Sequence, residues 1–126
     1  MSIDYNQKLS EHFSLLEFLW QGTQMPPESK RFFTDKLVEG VLDKMKYTAS
    51  RMEVVRQLLG GNSITVHCGF RPYEWEIYRK RSGKSQHIKG NAVDFSCPKW
   101  GTPNKIAKFL STHKVELQYD QLIRVS

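Results

Sequence analysis

Little in this chain points to redox chemistry, a membrane or a nucleic acid. Its 126 residues include two cysteines, Cys68 and Cys97, and four histidines. In a protein made in the cytoplasm, two thiols are by default reduced. Each cysteine closes an expected strand, so the two are candidates for neighbours. A disulfide between them would require maturation outside the cell. The sequence has no apolar run of about eighteen residues, which excludes a membrane-spanning helix of ordinary length. The opening residues, MSIDYNQKLSEHF, lack the basic-then-apolar order of a secretory signal. The chain is therefore expected to be made in the cytoplasm, and to leave only by lysis, in a particle or through another device. Repeats, low-complexity tracts and linker-like stretches are also missing. No aromatic interleaving of the basic residues and no nucleic-acid-binding motif is found, so nucleic acid is not an expected partner.

What is present fits one soluble globular domain spanning residues 1–126. The chain is 39% hydrophobic and 25% charged, and its length suits one core but not two. The net charge is +6. Positive residues gather between Arg71 and Lys89: Arg71, Arg79, Lys80, Arg81, Lys84 and Lys89. Such a cluster suits a solvated face, attraction to an anionic polymer such as a cell wall, or docking on an acidic protein.

Local signals then divide the chain. Ser14, with Glu17 three residues on, is a capping box that opens a short helix. Gly22 and the Pro26–Pro27 pair are expected to end it. From about Glu28 the pattern is helical. Phe33, Leu37, Val41 and Met45 form one stripe, and Thr48, Met52, Val55 and Leu59 a second, on a separate helix after a bend. Gly60-Gly61-Asn62 is a stop. SITVHCGF, residues 63–70, reads as a strand, and YEWEIYRK as a short helix after Pro72. Residues 91–97 form a second strand. Thr102 caps a helix begun by Pro103, PNKIAKFLS. QLIRV, residues 121–125, is a last strand. The expected class is α+β, with N-terminal helices packed on a small antiparallel sheet.

The stretch SQHIKGNAVD, residues 85–94, carries the chemistry. Imidazole and carboxylate are both zinc ligands, and His87 and Asp94 flank Gly90, which lets the chain turn so that both reach one point. Ser85 stands where its hydroxyl can bind a substrate oxygen. Arg71 ends the neighbouring strand, and a guanidinium grips a carboxylate in bidentate fashion. Spacing alone leaves other readings open: Ser85 as a turn cap, Arg71 as a structural arginine, His87 as an ordinary polar residue.

The pattern S-x-H-x-x-G-x-A-x-D, complete here as Ser85, His87, Gly90, Ala92 and Asp94, resembles the signature of zinc D-Ala-D-Ala carboxypeptidases and phage endolysin peptidases. Hedgehog signalling domains share that fold. HCGFRP, residues 67–72, is similar to the family's S-G-Y-R strand, with Cys68 in place of serine. LSEHFSLLEF, residues 9–18, resembles the N-terminal segment of small phage and bacterial members. YDQLI, residues 119–123, resembles the approach to the last catalytic element. The resemblance implies a Hedgehog-like fold, with zinc on His87 and Asp94. It also implies Arg71 on the substrate's terminal carboxylate, Ser85 on its carbonyl side, and peptidoglycan stem peptides as substrate. Zinc would polarise the scissile carbonyl and activate water, and a glutamate would move the proton.

That glutamate and a third ligand histidine follow the DQLI segment in the family, in a pattern like E…W-x-H. Here Arg124, Val125 and Ser126 follow, so the domain reads as truncated at the last catalytic element. Three explanations stay open. The chain is a pseudoenzyme, acting as a structural or binding part of a virion; or the site is rebuilt, with His67 as third ligand and Glu74 or Glu76 as base; or another chain completes it. The rebuilt reading rests on strand alternation, which sets His67 on the side of Arg71. His12 and His113 have no partner at ligand spacing.

Overall fold

A computed structural model describes residues 3–19, 32–78, 80, 89–90, 92–113 and 122–125. Lys8–Ser10 (β1) and Phe13–Ser14 (β2) pair antiparallel as a tight hairpin. The sequence pattern does not announce it, because strands this short carry no alternation to read. Leu15–Leu19 (α1) follows at once. Its capping box is formed as expected: Ser14 N and Oγ donate to Glu17 Oε1 at 3.0 and 3.1 Å, and Glu17 N donates to Ser14 Oγ at 3.3 Å. Gly22, Pro26, Pro27 and the helix start at Glu28 lie outside the described residues.

One continuous helix, Asp35–Leu58 (α2), replaces the two expected on either side of a bend. Thr34 is its N-cap, accepting from Leu37 N at 3.2 Å. The buried stripe is Val38, Met45, Thr48, Ala49, Met52 and Val55, completed by Leu59, and not the run of fours through Leu37. A step of four residues turns a helix by 40° past a full circle, so two such steps carry Leu37 well off the line of Met45. Seven residues fall short of two turns by only 20°, which puts Val38 inside. Leu37 is accordingly 36% exposed. Thr48 is tolerated in the stripe because its Oγ1 donates to Gly90 O at 2.8 Å. The stop is as read: Gly60 and Gly61 take φ of 76° and 74°, and Asn62 Nδ2 donates to Leu59 O at 2.8 Å.

Thr65–Cys68 (β3) and Ala92–Ser96 (β4) pair antiparallel, and Leu122–Val125 (β5) lies parallel to β4 on its other side, giving the order β3-β4-β5. The sheet is therefore mixed. Tyr73–Tyr78 (α3) and Pro103–Ser111 (α4) connect the strands. Thr102 caps α4 through Lys105 N at 3.3 Å, with Pro103 in the first turn. One apolar cluster joins the elements: Leu9, Phe13 and Phe18 from the N-terminal segment, the α2 stripe, Val66, Val93 and Phe95 from the sheet, and Ile106 and Leu110 from α4. The class is α+β. No helix among the described residues is long and apolar enough to cross a membrane.

Candidate functional site

The β3–β4 pair organises the candidate residues. Val93 and Phe95 are fully buried, so Asp94 and Ser96 point to the opposite face of the strand. Asp94 is half-buried, with Cys68 opposite it on β3 and Arg124 level with it on β5. The register of β3 slips by one between Val66, opposite Phe95, and Cys68, opposite Asp94. His67 is thus the extra residue of a β-bulge. A bulge breaks the alternation that would set His67 on the side of Arg71. Its ring instead reaches across to β4, with Nε2 2.8 Å from Ser96 Oγ.

The antiparallel pairing also separates the cysteines. Cys68 stands opposite Asp94, three residues short of Cys97, so roughly 10 Å of strand divides them. A disulfide needs Cα atoms within about 7 Å. Cys97 is a buried free thiol.

Beyond β3 the chain is pinned before it reaches Arg71. Phe70 N donates to Phe18 O at 2.8 Å. Gly69 is required there, because a Cβ would stand 2.6 Å from that same carbonyl oxygen. Arg71 then meets Glu76 across the first turns of α3: Nε and Oε1 lie 3.2 Å apart, with side chains 15% and 1% exposed. Glu76, one of the two candidate bases, is therefore a buried partner of the candidate substrate grip. Glu74, the other, is exposed and lines an open groove with Thr34, Leu37 and Val41.

Ser85 and His87, with the basic residues Arg79, Arg81 and Lys84, lie outside the described residues. Gly90, between the two expected ligands, has φ 75°, the left-handed conformation that its place in the turn asks for. Among the described residues no three histidine, cysteine, aspartate or glutamate side chains gather closely enough to hold a metal ion. Of the zinc ligands implied by the resemblance, the described residues thus include Asp94 alone. It stands on the face of its strand opposite the buried Val93 and Phe95.

Two associations were not legible in the sequence. The first is His67 with Ser96, 29 residues apart. The second is a clasp around Glu53 of α2. Ser10 Oγ and His12 N donate to Oε2 at 2.5 and 2.7 Å, and His12 Nδ1 lies 2.7 Å from Oε1. Burial pushes the Glu53 carboxyl up, but the hydrogen bonds from Ser10 and His12 and the charge of His12 outweigh it and hold the group below its ordinary value of 4.5. The partners lie more than forty residues apart, and no local pattern marks them. His113 is likewise engaged, its Nδ1 2.9 Å from Phe109 O. Compared with protein-family models, curated proteins and solved structures, the chain matches none.

Proposed function

We propose that this chain is a carboxypeptidase-like domain of phage type that acts through its surface, as a structural or binding component of a virion, and not as a working peptidase. The observation that carries the reading is the Arg71–Glu76 pair. Arg71 Nε stands 3.2 Å from Glu76 Oε1, and with side chains 15% and 1% exposed the pair favours a structural role for this arginine over a substrate grip. The ring of His67, needed for a rebuilt zinc site, is likewise bonded within the sheet to Ser96. The partners that suit the reading are other virion proteins or peptidoglycan stem peptides. The basic residues from Arg79 to Lys89 would supply the attraction.

One observation favours a second reading, an endolysin-like zinc peptidase completed by a neighbouring chain. Asp94 faces outward on β4, and Gly90 turns the chain just before it. In that case His87 and Asp94 would hold the metal.

Zinc per chain, measured by elemental mass spectrometry on the full-length protein beside His87→Ala, separates the two. The first reading expects no zinc above the mutant, even after incubation with excess metal. It further expects charge reversal at Arg79, Lys80 and Arg81 to impair particle assembly. Near-stoichiometric zinc lost in His87→Ala, with release of D-alanine or cleaved muropeptides, would replace it with the second.

A further inference from the structure

We propose that Ser96 and His67 form a nucleophile–base pair able to cleave small activated acyl esters, on the strand face that also carries Asp94. His67 Nε2 and Ser96 Oγ are 2.8 Å apart, the spacing at which imidazole takes a hydroxyl proton. The β-bulge sets this contact. By inserting His67 as an extra residue, it turns the ring from the strand's own path onto β4. Ser96 also lines a cavity of about 410 Å³, walled by Pro98, Gly101, Thr102, Pro103 and Ile106. The lining is mainly apolar, and the open depression has room for a small ester. Its far side is the first turn of α4, where the helix dipole favours the negative charge of a tetrahedral adduct. The contact and the cavity carry the proposal, and the dipole only adds to them.

The step balances without a metal. With the His67 proton on Nδ1, Nε2 accepts the Ser96 proton as Oγ bonds to the carbonyl carbon. The adduct collapses, breaking the ester C–O bond, and the proton on Nε2 passes to the leaving alkoxide. A water then gives its proton to Nε2 and attacks the acyl-serine, and that proton returns to Oγ as the acid leaves. This chemistry differs from that of the proposed function and does not depend on it.

The experiment uses the full-length protein with a metal chelator present. It is treated with a fluorophosphonate and, separately, with p-nitrophenyl acetate. The expected result is one phosphonyl adduct per chain, mapped to Ser96 by peptide mass spectrometry, together with release of p-nitrophenolate. Ser96→Ala removes both. His67→Gln keeps a polar partner for Ser96 but no base, and lowers the labelling rate by about a hundredfold or more. Ser50→Ala and Ser111→Ala, at hydroxyls bonded to backbone carbonyls, leave it unchanged. Circular dichroism confirms that each variant is folded. No adduct, an adduct elsewhere, or equal labelling of folded His67→Gln would overturn the proposal.

Discussion

Arg71 Nε lies 3.2 Å from Oε1 of Glu76, at the point where the strand ending in Cys68 gives way to a helix. The pair ties the exit of β3 to the first turn of α3, and little of either side chain reaches water. Removing one member leaves the other charge buried. Glu76→Ala and Arg71→Ala are each expected to cost about 3 kcal/mol or more, read as a lower urea midpoint. An arginine serving only a substrate would leave the midpoint where it was.

The Glu53 clasp predicts a response to acid. Its carboxyl titrates below the ordinary 4.5 in the folded chain, so its contribution is complete above that value and is lost as pH falls through the folded one. The melting temperature of the wild type should therefore fall more steeply than that of Glu53→Gln as pH drops from about 5 to 3. Parallel melting curves for the two proteins would be evidence that the clasp is not formed.

Tyr5 predicts the opposite limb. Its hydroxyl donates to Asp35 in the first turn of α2. Burial, that hydrogen bond and the Asp35 charge push its pKa up from 10.0 to about 12. A phenol raised in this way stabilises the fold fully below 10.0 and loses the contribution as pH climbs through about 12. Ultraviolet titration should show one of the five tyrosines ionising late, and Asp35→Asn should bring it back towards the others.

Gly69→Ala tests the contact between α1 and the end of β3. The new methyl would meet Phe18 O at 2.6 Å and Phe18 Cα at 2.9 Å, both backbone atoms that cannot swing away. A loss of about 1–3 kcal/mol is expected on chemical denaturation. Gly61→Ala meets no atom within 4 Å, so its cost comes from φ of 74° and not from collision.

The strand register predicts that Cys68 and Cys97 never pair. Alkylation in denaturant, without reductant, should add two groups to every chain. A chain adding none would require β3 and β4 to be paired differently.

What the sequence settled by itself was local. The capping box of Ser14 and Glu17, the Thr102–Pro103 start of α4 and the Gly60–Gly61–Asn62 stop each close their hydrogen bonds within a few residues. Residue type and spacing are enough for them. The three strands of the sheet were likewise expected within residues 63–70, 91–97 and 121–125, and they fall there. The phase of α2 was not legible, because apolar residues at steps of four drift around a helix, and only packing shows which of Leu37 and Val38 the core accepts. A residue pattern states how far apart side chains are along the chain, whereas a site depends on how they meet across it. The parallel partner of β4 and the bulge at His67 were set by strand pairing. The engagement of Arg71 by Glu76, of His12 by Glu53 and of His67 by Ser96 arose when distant or turning segments packed together. The candidate ligands were legible as residue types, but what each side chain holds was decided by the tertiary structure, because burial forces polar groups to find partners wherever the fold supplies them.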